Sequence, residues 1–374
     1  MVGRLVAFGL GAMATISACS AAGSGTQATK AGDVGSARKA AAGIYLTTKV
    51  LMNESQLPSP TSYDARGVDG VFLRIAWDAI QPAPDRYDWR LFDSVARTAV
   101  AKGKKLSIGV VAGSQSPAWL ASAGVPNVSF TFGKRCMTEQ VPAAWTPQFV
   151  AAYGKMIDAV KAHMVATGTY NAVTMVKVSG LTQRSLELGL PKSNKCSQNL
   201  DAQMAQAGYR PGKTLAAWNT MAGDIAAAFP GKLVVQPIFQ AQGFPAIGDD
   251  GQPIPKGQVD LGNRIVASCI QRFGGRCGIQ WNALKAQGRM ADRVIAARDK
   301  GATIGWQSNL YEGPQVGAGC QVDRRAETVP CTDQSYAQLL ARGVALGATF
   351  IEVWEPDVLK YRGAFAQTQR DWRM

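Results

Sequence analysis

Glutamate is scarce in this 374-residue sequence, and its placement is informative. Glu187, Glu352 and Glu355 all follow or end apolar stretches that are typical of buried strands, and Asp78 ends another. Hydrolysis of a glycosidic bond needs two carboxyl groups, one that protonates the leaving oxygen and one, ionised, that attacks the anomeric carbon or activates water. The sequence predicts this chemistry, with Glu187 as the acid/base and Glu355 or Glu352 as the second carboxylate.

Other common catalytic arrangements lack their residues. The only histidine, His163, lies in a helical pattern, so a Ser-His-Asp or Cys-His arrangement has no histidine at a strand end. The sequence has no GxxxxGK[ST], no GxGxxG after a strand and no HExxH, and the cysteine spacings do not suit zinc. We therefore expect neither a metal nor a cofactor.

Aromatic and amide side chains lie near the same strand ends. Aromatic faces stack on the apolar faces of sugar rings, and amides bond to sugar hydroxyls. Each tryptophan taken alone is more consistent with core packing, but four of them near one rim, Trp77, Trp281, Trp306 and Trp354, favour a carbohydrate cleft. The predicted substrate-binding set is Arg74, Trp77, Asp78, Gln236, Trp306, Gln307, Asn309, Tyr311 and Trp354.

These side chains need elements that bring them together. Apolar strand patterns occupy 44–50, 71–76, 105–111, 173–179, 233–239, 278–283, 303–308 and 349–354. Helical patterns alternate with them, most clearly at 89–102, 147–166, 214–229, 290–300 and 335–346. This order predicts an α/β fold, a single (β/α)8 TIM barrel with long loops after its strands. A doubly wound open sheet would show a glycine-rich turn after the first strand, and 48–55 is no such turn.

Strand alternation separates the two candidate glutamates at the eighth strand. If Trp354 faces the barrel mouth, Glu352 points into the barrel. Arg74 and Lys177 are charges within strands that the same phase can turn inward. Glu352 is therefore either catalytic or the partner of one of these cations, since a buried charge must be paired. Glu355 lies one step beyond, at the rim, and is slightly favoured as the second carboxylate.

One stretch resembles a known family. Residues 69–89, DGVFLRIAWDAIQPAPDRYDW, are similar to the second βα unit of the retaining glycoside hydrolases with (β/α)8 barrels, such as the β-galactosidase and endoglucanase-like groups. The SPAWL segment at 116–120 is similar to one after their third strand, and Trp354 resembles their sugar-stacking tryptophan. The resemblance implies hydrolysis of a carbohydrate. The sequence departs from the family at two positions. Ser179–Gly180 replaces the family's Asn-Glu after strand four, and Gln307 lies near the position of its nucleophile. Either the catalytic residues lie elsewhere in this sequence or catalysis has been lost.

The first 42 residues predict export. Residues 1–18 resemble a signal peptide, and Ile16–Ser17–Ala18–Cys19 resembles the bacterial lipobox, which implies lipidation of Cys19 and a membrane anchor. An ordinary signal peptide cleaved nearby is the alternative. Residues 19–42 predict a flexible linker and 43–374 the barrel domain, which places the protein in the cell envelope or outside the cell.

Six cysteines remain besides Cys19, and an even set in an exported chain indicates disulfides. Pairing by proximity in sequence predicts Cys269–Cys277 and Cys320–Cys331, which leaves Cys136–Cys196, although six cysteines allow fifteen connectivities.

The net charge of +14 indicates an anionic partner or only a solvated basic surface. Export argues against nucleic acid, and an acidic polysaccharide is the more consistent partner. The sequence thus predicts a glycoside hydrolase of a polysaccharide or oligosaccharide. The alternatives are a non-catalytic carbohydrate-binding envelope lipoprotein and a polysaccharide lyase, for which no residue constellation is evident.

Overall fold

The computed structural model describes residues 31–132, 135–238, 243–285, 292–308 and 331–373. Eight strands form a closed, all-parallel barrel in the order β1, β10, β9, β8, β7, β6, β3, β2. The barrel strands are β1 (Gly43–Thr47), β2 (Gly70–Ala76), β3 (Lys105–Val111), β6 (Val173–Lys177), β7 (Leu233–Ile238), β8 (Cys277–Leu284), β9 (Thr303–Ser308) and β10 (Phe350–Trp354). The predicted (β/α)8 barrel is confirmed.

Helices cover the barrel and join its strands. They are α1 (Ala31–Ala41), α2 (Pro60–Tyr63), α3 (Trp77–Ile80), α4 (Arg90–Ala101), α5 (Trp119–Ser122), α6 (Pro147–Ala166), α7 (Leu200–Gln206), α8 (Pro211–Ala228), α9 (Leu261–Phe273), α10 (Asp292–Asp299), α11 (Asp333–Ala345), α12 (Glu355–Lys360) and α13 (Arg362–Arg373). Their apolar faces pack on the outward side chains of the strands in one continuous core. No helix within the described ranges is long and apolar enough to cross a bilayer.

A hairpin interrupts the alternation of strands and helices. Strands β4 (Asn127–Phe132) and β5 (Met137–Pro142) pair antiparallel in the connection between β3 and α6. The disulfide Cys136–Cys196 ties the hairpin to the connection between β6 and α7. The second disulfide, Cys269–Cys277, joins α9 to β8, so two predicted pairs are confirmed. Cys331 is also disulfide-bonded, and its predicted partner Cys320 lies outside the described residues.

Part of the predicted linker is a helix. Ala37 and Ala41 of α1 are buried against inward side chains at the amino ends of the strands, including Tyr45 and Phe350. Arg38 of the same helix donates hydrogen bonds to the Thr303 hydroxyl at 2.8 Å and to a backbone carbonyl at 2.5 Å. The flexible linker predicted for 19–42 is therefore wrong for 31–41, because this segment closes the lower end of the barrel.

Candidate active site at the barrel mouth

Polar side chains line the barrel interior toward the carboxyl ends of the strands. Lys177 ends β6, Gln280 lies on β8, Gln307 on β9 and Glu352 on β10, and Gln307 stands opposite Glu352 in the register of the two strands. Apolar residues alternate with them and face the helices. The active-site end of a (β/α)8 barrel is where its strands finish, so these four side chains lie beneath the expected site.

Glu352 is the centre of this interior group. Its side chain is fully buried, and Oε1 forms an ion pair with Lys177, whose side chain is 1% exposed. The amide nitrogens of Gln280 and Gln307 donate to Oε2 at 2.8 and 2.9 Å. Both carboxylate oxygens are therefore satisfied, and of the two cations weighed from the sequence Lys177 is the partner of Glu352.

Arg74 lies near this pair and faces the mouth. Its Nη2 donates to the Thr48 carbonyl at 2.6 Å, and its guanidinium lies 5.2 Å from the Trp354 ring centroid. Burial lowers the pKa of Arg74, while the negative charges of Glu352 and Glu187 oppose that shift. Burial likewise lowers the pKa of Lys177 to about 8, against the attraction of Glu352. Two cations and two carboxylates thus interact in one cluster.

Glu187 is linked to the interior by hydrogen bonds. The Asn282 amide nitrogen donates to Glu187 Oε1 at 3.0 Å, and Asn282 Oδ1 accepts from Gln280 at 2.8 Å. Gln280 also donates to Glu352, so two amides connect the two glutamates. The Ser185 hydroxyl donates to the other Glu187 oxygen at 3.0 Å. Glu187 is half-buried, and within the described part of the chain its carboxylate accepts side-chain hydrogen bonds from Asn282 and Ser185, both of which are neutral.

The loop that carries Glu187 folds back over the mouth. Leu186 is buried against Phe72 and Val111, in the space that a side chain on Gly109 would fill. Gly113 has a φ of 70° and lies so close to this loop that a Cβ there would collide with a backbone carbonyl oxygen. These contacts explain how a glutamate so far beyond strand β6 reaches the site.

Glu355 is placed differently. Its Oε1 accepts a hydrogen bond of 2.5 Å from the backbone nitrogen of Ser59, the residue before α2. Its charge also raises the pKa of Tyr63, although burial is the larger cause. Glu355 contacts the loop that follows β1 and does not act on Arg74 or Lys177 as Glu187 and Glu352 do. The structure therefore brings Glu352, not the favoured Glu355, together with Glu187.

Two of the tryptophans predicted to stack on a sugar are core residues. Trp77 is fully buried, with Phe149 and Tyr153 edge-on at 5.6 and 5.8 Å. Trp306 is also fully buried, on the face of β9 opposite Gln307. Neither ring offers a face to a sugar, so their predicted stacking role is wrong in this structure.

The other predicted binding residues divide between the mouth and elsewhere. Trp354 lies at the mouth, where its indole nitrogen donates to the Ser308 carbonyl at 3.0 Å. Gln236 accepts from the Trp218 indole of α8 at 2.5 Å, so it faces the helices and the prediction is wrong. Asp78 is exposed in the first turn of α3. Asn309 and Tyr311 lie outside the described residues.

Gln280 and Asn282 were not among the residues predicted from the sequence. Both stand on the inward face of β8, where polar residues occupy alternate positions after Gly278. That alternation, in a strand that is otherwise buried, is a signal that could have identified them. Among the described residues, no group of three or more His, Cys, Asp or Glu side chains could hold a metal ion.

The fold is shared with solved glycoside-hydrolase structures. The catalytic domain of the β-amylase from Paenibacillus polymyxa matches with a TM-score of 0.56 at 10% identity, over 86% of this chain and 94% of that one. The β-galactosidase from Marinomonas ef1 matches with a TM-score of 0.51 at 9% identity, over 88% of this chain and 59% of that one. No protein-family model and no curated protein matches the sequence. The predicted resemblance to these barrels is confirmed for the fold.

Proposed function

We propose that this protein is a glycoside hydrolase that acts at the carboxyl ends of its barrel strands. Glu187 is the general acid/base and Glu352 the second carboxylate. The observation that carries the proposal is the hydrogen-bonded path from Glu352 through Gln280 and Asn282 to Glu187, which holds two carboxyl groups in one site. The shared fold with a β-amylase and a β-galactosidase supports a carbohydrate substrate.

The two glutamates have environments suited to different roles. An ammonium and two amide donors surround Glu352. A hydroxyl and one amide surround Glu187, with no cation in hydrogen-bond contact among the described residues. In the proposed reaction Glu187 protonates the leaving oxygen, and Glu352 attacks the anomeric carbon or activates water.

Glu352 is fully buried, so direct attack on a sugar requires movement of the groups above it. The Phe72 ring centroid lies 3.6 Å from the Lys177 ammonium, and Leu186 packs on Phe72 from the loop that carries Glu187. Displacement of Leu186 by a bound sugar would expose the interior pair and bring Glu187 to the glycosidic oxygen.

The experiment is sugar release from neutral and acidic polysaccharides and from aryl glycosides, with wild type beside Glu187→Gln. An activated aryl leaving group needs no proton. The variant should therefore lose about 10²- to 10⁴-fold on polysaccharides and far less on dinitrophenyl glycosides. Glu355→Gln is the matched control and should keep most activity. Equal polysaccharide rates in wild type and Glu187→Gln would refute the assignment of Glu187.

A second candidate is a carbohydrate-binding barrel without catalysis. The complete burial of Glu352, with both oxygens bonded, favours it. This protein would bind the same sugars in an affinity gel, with no release of product from any substrate, and Glu187→Gln would leave its binding intact.

We also propose that the chain is exported and held to a membrane by lipid on Cys19, with an acidic polysaccharide as its partner. The disulfides support an oxidising compartment, because such bonds rarely persist in a reducing cytosol. Labelling with a fatty-acid analogue should mark the wild type and not Cys19→Ser. Equal labelling of both proteins would contradict the anchor.

A further inference from the structure

A cavity of about 750 Å³ opens on the outer face of the barrel, between the loop that follows β2 and the last turns of α6. Its walls include Arg86, Tyr87 and Trp89 from the loop and His163 from the helix. It contains none of the four charged residues of the mouth cluster. Its volume lies in the range of small-molecule sites.

Three rings form one continuous stack in the cavity wall. The rings of Tyr87 and Trp89 are parallel within 2°, with centroids 5.0 Å apart. The rings of Trp89 and His163 lie 4.2 Å apart and within 9° of parallel. All three side chains are half-buried, so the stack is supported from behind and partly open to the cavity. Rigid aromatic surface of this kind packs well on the apolar face of a sugar ring.

The carboxylates of the wall are already neutralised. Asp93 bonds to His163 at 2.7 Å and to Arg97 at 3.3 Å. Asp88 is bound by Arg90 at 2.7 Å. The Arg86 guanidinium is exposed and makes no hydrogen bond or ion pair within the described ranges. The charge that the wall leaves open is therefore positive.

We propose that this cavity is a second carbohydrate site, which binds a segment of an acidic polymer apart from the mouth. The outer face of Tyr87 packs on a sugar ring, with Trp89 and His163 stacked behind it, and Arg86 pairs with the carboxylate of that ring or the next. The net charge of +14 draws such a polymer toward the protein. The inference takes from the proposed function only that the ligand is a carbohydrate, and it does not require hydrolysis.

His163 gives a direct test, because it is the only histidine in the chain. The imidazole signal of histidine-labelled full-length protein is followed by NMR during titration with uronate tetramers from pectin, alginate and hyaluronan, beside neutral xylotetraose. At least one acidic oligomer should shift the signal saturably, with a clear preference over the neutral one. The His163 imidazole lies in the wall of this cavity, so a shift of its signal reports binding here and not at the mouth.

Two variants test the named contacts. Arg86→Ala should weaken binding of the responding oligomer by about tenfold, the size expected for a lost charge-assisted contact. Tyr87→Ala should weaken it by about tenfold as well, because it removes the ring that packs on the sugar. Arg66→Ala, at an exposed arginine without a side-chain partner among the described residues, is the matched control and should bind as wild type does. Trp89→Phe keeps a ring and should retain more affinity than Tyr87→Ala. The proposal would be overturned if none of the three acidic oligomers shifted the signal, or if both test variants bound with the affinity of the wild type.

Discussion

Removal of the buried charge on Glu352 gives the sharpest test of the interior network. Glu352→Gln keeps the shape of the side chain but leaves the Lys177 ammonium, 1% exposed, without its counter-ion. Breaking a buried ion pair by removal of one partner costs about 3 to 5 kcal/mol of the free energy of unfolding. An exposed pair costs far less, and Asp64→Asn, which breaks the surface pair with Lys102, should cost less than about 1 kcal/mol.

The free energy of unfolding that Glu352→Gln loses should decrease as the pH rises. Burial holds the pKa of Lys177 near 8, below its value of about 10.4 in an unfolded chain. The unfolded state therefore binds more protons over this interval, and the Lys177 contribution to stability rises with pH. In Glu352→Gln the pKa of Lys177 falls further, because the attraction of Glu352 is lost. The destabilisation caused by the unpaired ammonium therefore begins to decrease at a lower pH. The difference between wild type and variant should be largest near pH 6 and shrink toward pH 8.

Urea unfolding followed by circular dichroism, at pH 6, 7 and 8, measures the stability lost in Glu352→Gln and the dependence of that loss on pH. The double variant Lys177→Met/Glu352→Gln should recover part of the loss, because it buries no unpaired charge. A cost below about 1 kcal/mol for Glu352→Gln, independent of pH, would refute the buried pair and with it the cluster on which the site is built.

Three further perturbations probe the surroundings of the site. Gly113→Ala should lower the free energy of unfolding by about 2 kcal/mol and reduce activity, because its Cβ would push the Gln183 carbonyl and the Glu187 loop away. The control Gly103→Ala also has a positive φ but has open space around its Cβ, so it should cost only about 1 kcal/mol and leave activity unchanged. Equal losses in the two variants would contradict this packing. Cys136→Ser opens a link across 60 residues and should lower the free energy of unfolding by about 2 to 4 kcal/mol, and an unchanged urea midpoint would exclude that contribution. Burial raises the pKa of seven tyrosines, and the shift is largest for five of them. The stability that these five contribute is complete below the unfolded pKa of about 10 and should be lost above it, so their absorbance at 295 nm should change only together with unfolding. Titration of all tyrosines before unfolding would contradict their burial. The five are Tyr45, Tyr63, Tyr153, Tyr209 and Tyr336.

The barrel could be predicted because its signal is local and repeated. Buried parallel strands are continuous apolar stretches, and glycines such as Gly301 and Gly347, with φ near 90°, mark the turns from helix to strand. The hairpin of β4 and β5 was not predicted. Its strands are half exposed, and a tertiary link, Cys136–Cys196, holds them.

The site was predictable where strand alternation decides it. The phase that turns Glu352 inward also gave Lys177 as a possible partner, and the structure bears this out. The same rule could have excluded Trp306, since consecutive residues on a strand face opposite sides and Gln307 faces inward. Glu355 could not be placed, because its partner Ser59 is 296 residues away in sequence.

Helix α1 marks the end of the barrel to which the preceding chain is attached. It lies beneath the amino ends of the strands, with Tyr45 donating to the Ala41 carbonyl at 3.0 Å, and the mouth lies at the opposite end. The chain that precedes Ala31 therefore joins the molecule on the side away from the mouth. If Cys19 carries lipid, as we propose, the anchor is attached at the end of the barrel opposite the mouth, which leaves the mouth free to bind polymers from the medium.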